Sequence, residues 1–505
     1  MNIKMISLLC GTLFAFGCST EAEQTNTLVT QPQTSSYVGI YPKPPLGYVG
    51  DPMPFWESGT MNMFYLYDGR DGQVGFHPYN LMTTTDLTTW QFEGTVIPFV
   101  NDNASPDLAL GTGSIIRDSD GLYHAYYTGW NGRSSQLPYH EIIQHATSTD
   151  KINWTKHPEH GFYGGHNDFR DPYVLFMAEL NEYWMIVTTR DLETNKPILA
   201  KYTSEDLISW GNKTTLYTAD DIDWNMECPT LIKFGDYWYL SFSRQGDGNE
   251  RTLYYVYTDN LGHSNATTEW VKPTQHLFDG PGQYAARIEK FADKHIVSGW
   301  VGTKQFNNDS GNYDWAGNLV THEVYQSESG ELFSKAPAEY KALVNKPASL
   351  ESLKVSSGVS YISGELYFNG NGYETITFSP VSEATSRLTL SVNPRYNTDH
   401  FGFIFSLDNN NPAQGNTKLE LNHVTNKINL FINNLNVPRI LGSVDFAFPD
   451  GEYQVSLYFE NDIMTLYVDD KIAFTARLPS SAGQAWGIFS YNSDIVLKDV
   501  ALYSH

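Results

Sequence analysis

Thr85-Asp86-Leu87-Thr88-Thr89-Trp90 recurs as Thr149-Asp150-Lys151-Ile152-Asn153-Trp154 and again as Glu205-Asp206-Leu207-Ile208-Ser209-Trp210. A looser copy is Thr258-Asp259-Asn260, with Trp270 further on. Each copy reads as a polar turn ahead of a tryptophan that can plug a sheet. Recurrence at this spacing is the mark of a repeat architecture. Short alternating runs lie between the copies: Met61 to Tyr67, Leu122 to Tyr127, Tyr183 to Val187 and Tyr237 to Phe242. Turn residues such as Ser119-Asp120-Gly121 and Gly235-Asp236 introduce them, so they read as strands. Units with several strands each read as propeller blades, and residues 45–335 hold roughly five of them.

Past this region the repeat vanishes. Pro337, Pro347 and Glu351-Ser352-Leu353-Lys354 mark a linker over 336–356. Residues 357–505 then carry short alternating runs, Arg387 to Val392 and Gln454 to Phe459 among them. Met464 to Val468 runs through Asp469-Asp470 into Lys471 to Phe474, a hairpin with an acidic turn. Such a series suggests a β-sandwich. The expected class is all-β: a five-bladed β-propeller followed by a C-terminal β-sandwich.

The balance of charge excludes some partners. Net charge is -25, with 18% charged and 14% aromatic residues. An acidic chain lacks the basic footprint that nucleic acid requires, whereas neutral sugars are indifferent to the field. At the N-terminus, Lys4 and the apolar run Ile6 to Phe16 read as a signal peptide over 1–17. Ala15-Phe16-Gly17-Cys18 resembles a bacterial lipobox, with Cys18 as the lipidated residue. Residues 18–44 read as a polar tether. The expected location is therefore outside the cytoplasm, as an outer-membrane lipoprotein or in the periplasm of a Gram-negative cell. Cys10, Cys18 and Cys228 are the only cysteines, so no intrachain disulfide is expected. The histidines show no HExxH spacing, and His157 and His160 read as a surface turn around Pro158. Neither a metal nor a cofactor is expected, and a monomer is the default.

Three acidic motifs stand out: Gly50-Asp51-Pro52, Arg170-Asp171-Pro172 and Glu227-Cys228-Pro229. Blades converge on a central funnel, so carboxylates at blade spacing can meet in one pocket. Paired carboxylates there suit glycosidic-bond cleavage. Cys228 has no histidine near it in sequence and reads as packing behind Glu227 rather than as a nucleophile. Trp56, Trp130, Trp224 and Trp315 are candidate stacking faces for sugar rings, and Thr112 and Ser114 candidate positioning groups near the pocket.

Taken in order, these motifs resemble glycoside hydrolase family 32, the invertases, inulinases and levanases. Leu110 to Ile115, Tyr126-Tyr127-Thr128-Gly129, Phe278-Asp279, Tyr284-Ala285-Ala286, Ser298-Gly299-Trp300 and Trp315-Ala316-Gly317 add to the likeness. The resemblance implies a five-bladed propeller plus sandwich and a retaining, exo-acting β-fructofuranosidase on fructans or sucrose-like sugars. It assigns Asp51 as nucleophile, Glu227 as general acid and base, and Asp171, with Arg170, to sugar hydroxyls and transition-state charge. The chain departs from the family where Asn usually precedes the nucleophile and Asn-Gly follows the proline: here stand Gly50, Met53 and Pro54. A glutamine common in the next strand is replaced by Leu66. Those polar groups grip the terminal fructose in the family, so two alternatives stay open. One is a furanosidase or exo-glycosidase on another polysaccharide, such as arabinan or an algal galactan. The other is a glycan-binding lipoprotein without catalysis.

Overall fold

A computed structural model describes residues 35–505, apart from 71–75, 246–250, 263–267, 275–276, 382–383, 396–397, 406, 408–416 and 435–436. The chain builds five antiparallel blades, the first and last joined into one sheet by the pairing of Gly317 with Val49, then a two-sheet sandwich. Blade I contains Tyr48–Glu57, Thr60–Asp68, Tyr79–Thr84 and Thr89–Ile97. Blade II contains Ala109–Arg117, Tyr123–Trp130, Glu141–Ser148 and Thr155–Lys156. Blade III contains Phe169–Met177, Glu182–Arg190, Pro197–Ser204 and Thr214–Tyr217. Blade IV contains Met226–Phe234, Tyr237–Arg244 and Leu253–Thr258, with Val271 bridging to Tyr257 at its edge. Blade V contains Gln283–Phe291, Lys294–Lys304, Tyr313–Gln326 and Leu332–Lys335. The first strand of each blade touches the first strand of the next, and that of blade V returns to blade I. This ring of first strands is the propeller axis.

The repeated turn joins the third and fourth strands of blades I, II and III. Asp86 Oδ1 accepts the amides of Thr88 (2.9 Å) and Thr89 (2.6 Å). Asp150 does the same for Ile152 and Asn153, and Asp206 for Ile208 and Ser209. The residue after each aspartate has a positive φ: Leu87 59°, Lys151 68°, Leu207 61°. Side-chain acceptance of two amides offsets that cost, which is why Asp opens each turn. Trp90 Nε1 then donates to Leu87 O, and Trp154 Nε1 to Lys151 O. The tryptophan therefore closes the turn as well as filling the sheet.

Five bulges set the inner ring. Between the first and second strands the register slips by one residue at Gly50/Met53, Gly111/Gly113, Arg170/Tyr173, Glu227/Thr230 and Tyr284/Arg287. A bulge leaves one residue out of the ladder and re-aims its neighbours. Proline has no N–H to give a ladder, so Pro52, Pro172 and Pro229 sit where none is needed. Asp51, Asp171, Cys228 and Ala285 occupy equivalent places and all have positive φ, 25°, 60°, 53° and 51°.

The sandwich stacks one sheet around Asp494–Ser504, Thr385–Pro394 and Tyr453–Glu460 on another around Trp486–Tyr491, His400–Phe405 and Thr417–Asn422. Leu388, Phe401, Phe403, Leu419, Leu457 and Ile488 fill the space between them. The stretch read as a linker is structured. Ala338–Leu343 form a short helix, Lys346–Ala348 pair with Leu502–Ser504, and Ser352–Val355 pair with Tyr373–Phe378. The late part of the stretch read as a tether is structured too. Ser35–Val38 extend blade I, and the amides of Ile40 and Tyr41 donate to Glu460 of the sandwich. The stretch read as a signal peptide, and Cys18, lie outside the described residues.

Buried polar contacts lock the sandwich against blade V. Asp279 Oδ1 accepts the Thr475 amide (2.6 Å), its Oδ2 meets His322 Nε2 (2.9 Å), and His322 Nδ1 meets the Tyr467 hydroxyl (2.8 Å). Arg477 donates to Gly302 O and Asn318 Oδ1 across the same seam. Such directional bonds fix how the two parts sit.

Candidate active site

The inner ring opens into a cavity of about 750 Å³. Asp51, Thr112, Arg170, Asp171, Glu227 and Tyr284 line it, together with Leu66, His77, Trp130, Glu141, Arg251 and Trp315. Each blade thus contributes at its bulge. The three carboxylates come together as the motif spacing predicts, and neighbours in the ring hold each of them.

Asp51 is clamped from both sides. Thr112 Oγ1 of blade II donates to its Oδ2 (2.6 Å), and Trp300 Nε1 of blade V to its Oδ1 (2.9 Å). Gly50 is required at this point: a Cβ there would lie 2.3 Å from the Trp315 ring. Trp315 in turn lies against His77, centroids 4.1 Å apart with the rings tilted by 31°. The wall beside Asp51 is therefore formed by an aromatic pair and by Leu66.

Asp171 is buried, and the Cys228 amide donates to its Oδ2 (2.9 Å). Its own amide donates to Thr128 Oγ1 (2.9 Å). Burial, joined by the charge of Asp51, raises its carboxyl above the usual range, against the pull of Arg170. Cys228 is 2% exposed behind it, and burial pushes the thiol well up. A thiol held protonated is a poor nucleophile, so it serves as packing.

Glu227 has 14% of its side chain exposed. Arg170 donates to Oε1 through Nε (3.1 Å) and Nη2 (3.0 Å), and the Tyr284 hydroxyl donates to Oε2. Burial pushes its pKa up to about 7; Arg170 pulls it down, Asp171 and Asp51 push it further up, and Tyr284 pulls it down. Arg170 is shared: its Nη1 also reaches Glu141 (3.1 Å) and Asp168 (2.8 Å). The guanidinium spans several carboxylates and holds the acidic cluster together.

Four sequence candidates stand on the cavity beside the carboxylates: Arg170, Thr112, Trp130 and Trp315. Ser114, Trp56 and Trp224 do not. Ser114 is buried and ties blade II to blade III through Pro172 O and the Val174 amide. Trp56 packs on Phe291 at 4.8 Å between blades. Trp224 lies under Arg244 beside Tyr254, in a separate hollow. Their indoles serve the joints between strands, where a propeller also needs large flat groups. Sequence reasoning missed Tyr284, Trp300 and Glu141 as partners of the carboxylates. Tyr284 could have been found by aligning the inner strands, since it holds the place in blade V that Glu227 holds in blade IV.

A propeller whose axis carries a glutamate of raised pKa and a second, hydrogen-bonded carboxylate has the makings of a glycosidase-type site. The model for the glycosyl hydrolases family 32 N-terminal domain matches residues 42–335, and the chain belongs to this family. It is 28% identical over 333 residues to raffinose invertase of Escherichia coli, covering 62% of this chain and 67% of that one. Against the extracellular exo-inulinase of Aspergillus niger it is 22% identical over 332 residues, covering 54% and 58%. The chain thus matches less than two thirds of that inulinase's length. Among solved structures, exo-inulinase from Aspergillus awamori superposes with a TM-score of 0.68 at 17% identity, over 92% of this chain and 98% of that one. The chain is a glycoside hydrolase.

Proposed function

We propose that this chain is a retaining, exo-acting β-fructofuranosidase acting on fructans or sucrose-like sugars. The observation that carries the reading is the contrast between Glu227, whose pKa burial pushes up to about 7, and Asp51, fixed by two donors across the ring. Asp51 attacks the anomeric carbon and forms a glycosyl-enzyme ester, while Glu227 delivers its proton to the leaving oxygen. Glu227, now ionised, takes a proton from water, which opens the ester. Arg170 shields the charge that appears on Glu227. Asp171 accepts sugar hydroxyls and stabilises the oxocarbenium-like state. Trp130 and Trp315 present faces to sugar rings.

The apolar wall of Gly50, Leu66 and Trp315 favours one second reading. A site with fewer donors there discriminates less sharply for the hydroxyls of fructose. A furanoside from arabinan or an algal galactan would then be the substrate of the same carboxylates. Product release from sucrose, inulin, levan, arabinan and algal oligosaccharides separates the readings. Fructose release from the first three supports the fructosidase. Early-time NMR of the product tests retention, and an inverted anomer would refute the assigned roles. We also propose export, with a lipid on Cys18 and residues after it as tether; mass spectrometry of the mature N-terminus tests this.

A further inference from the structure

Four of the chain's histidines meet at the outer edge of blade II, away from the catalytic cavity. His124 stands on the second strand, His145 on the third, His157 just before the turn Pro158–His160 and His160 at its end. The rings stack in series: His124 on His145 (5.2 Å), His145 on His160 (5.2 Å), His160 on His157 (5.1 Å). Their nitrogens are joined directly. Asp118 Oδ2 lies 3.1 Å from His124 Nε2, and His124 Nδ1 lies 3.0 Å from His145 Nε2. His145 Nδ1 then lies 2.9 Å from His160 Nδ1.

Proton accounting gives this chain a direction. The Asp118 carboxylate can only accept, so His124 Nε2 carries the hydrogen and His124 Nδ1 is bare. His145 Nε2–H must then donate to His124, leaving His145 Nδ1 bare. His160 Nδ1–H donates to that, and His160 Nε2 ends the relay with a free lone pair. On the other side, His157 Nε2 pairs with Thr147 Oγ1 at 2.9 Å, which turns Nδ1 toward Glu159 Oε1 at 3.3 Å. Glu159 Oε1 also lies 3.9 Å from His160 Nε2. His157 Nδ1 therefore carries the hydrogen it gives Glu159, His160 Nε2 carries a lone pair, and these two nitrogens and the carboxylate oxygen lie within 4.8 Å of one another. A cation entering the set takes the place of the hydrogen on His157 Nδ1, and His157 then keeps its proton on Nε2, which donates to Thr147 Oγ1.

We propose that His157 Nδ1, Glu159 and His160 Nε2 bind one late first-row divalent cation, with Zn²⁺ as the type. Two imidazoles and a carboxylate suit zinc, copper or nickel and disfavour calcium or magnesium, which want oxygen ligands. Bond lengths of about 2.0–2.2 Å require ligand atoms roughly 3.3 Å apart, reached by small side-chain rotations on the turn. The side chains are 25%, 64% and 23% exposed, so the ion has a path in and water can complete its shell. The second nitrogen of each imidazole is already engaged, by Thr147 and by His145, as in metal sites whose ligands are oriented from behind. The fourth strand of this blade is only Thr155–Lys156. A metal here staples the turn beyond it and so secures a weakly paired edge. The HExxH test misses the site because its ligands share one turn and draw their support from two other strands.

The test uses the untagged full chain, stripped with chelator and titrated with ZnCl₂. One equivalent should bind by isothermal titration, and the melting temperature should rise with zinc concentration. His157→Ala, Glu159→Gln and His160→Ala should each weaken binding at least about tenfold, and His145→Asn, which releases His160, about tenfold to a hundredfold. The three turn variants change partly exposed side chains, and near-UV circular dichroism checks that they fold as wild type. Loading with Co²⁺ should give visible d–d absorption that the His157→Ala/His160→Ala double variant lacks. Binding no tighter than about millimolar in wild type, or a zinc isotherm unchanged in the double variant, would overturn the proposal.

Discussion

Tyr284→Phe should move the basic limb of the pH–rate profile upward. In the proposed mechanism Glu227 must carry a proton to protonate the leaving group, so activity should fall as pH rises through its pKa, about 7. The Tyr284 hydroxyl donates to Glu227 Oε2 and favours the ionised form. A hydrogen bond to a charged group is worth about 1.5–3 kcal/mol. One pH unit corresponds to about 1.4 kcal/mol, so losing the donor should raise the limb by roughly one to two units. Phenylalanine keeps the edge-on contact with Trp300, centroids 5.5 Å apart, so the cavity wall stays filled. The assay is kcat/KM on sucrose from pH 4 to 10, wild type beside variant. A limb that stays in place, or moves to lower pH, would refute the assignment of Glu227 as the acid and Tyr284 as the group that tunes it.

Asp51→Asn should abolish turnover with the fold intact, checked by circular dichroism and by fructose release, because an amide cannot form the ester. Glu227→Gln should cost little in the first step for a substrate whose leaving group needs no proton, seen as a burst with an activated aryl fructoside. The same variant should be more stable than wild type above pH 7. The folded state raises this carboxyl from 4.5 to about 7, so the native protein holds the extra proton and loses stability as pH rises through that window, by on the order of 3 kcal/mol; the neutral amide does not. Denaturant melts at pH 5 and 8 measure the difference. Gly50→Ala should displace Trp315 and lower kcat/KM about tenfold, or about 1.4 kcal/mol of transition-state binding. Asp279→Ala strands His322 and the Thr475 amide in the seam and should cost about 2–6 kcal/mol, about 1–3 for each stranded group, in a thermal or denaturant melt.

What could be read from the chain was local. The Asp-led turns announce themselves because one side chain accepts two nearby amides, and that chemistry restricts the residue type. The acidic motifs are visible because a bulge tolerates proline and the ladder around it does not. The partners of the carboxylates were hidden, since Trp300 reaches Asp51 from the far end of the propeller sequence and nothing local marks the meeting. Trp56 and Trp224 misled for the opposite reason: an indole fills a blade joint as readily as it faces a sugar. Lys346–Ala348 pair with the last strand of the chain, and Ile40 and Tyr41 with Glu460. Partners so distant leave no periodic trace, so both stretches read as connectors.

The bulge also explains why a repeat made for stability can hold chemistry. All five blades bend at the same place, and neither Cys228 nor Ala285 there offers a carboxylate. The bend therefore belongs to the closing of the ring and not to catalysis. A non-glycine residue at positive φ costs on the order of 1–3 kcal/mol, and the surrounding ladder must hold it. Once that cost is met by the fold, the residue at or just before the bend is aimed at the axis on a rigid strand. Its neighbours around the ring, Thr112 for Asp51, Cys228 N–H for Asp171, and Arg170 and Tyr284 for Glu227, are aimed by the same device. Chemistry then needs only substitutions at equivalent positions: Gly50-Asp51, Arg170-Asp171 and Glu227-Cys228 differ in side chains on one repeated backbone. The order of those side chains around the axis places an arginine and a tyrosine on either side of Glu227, the proposed proton donor, and both pull its pKa down against burial.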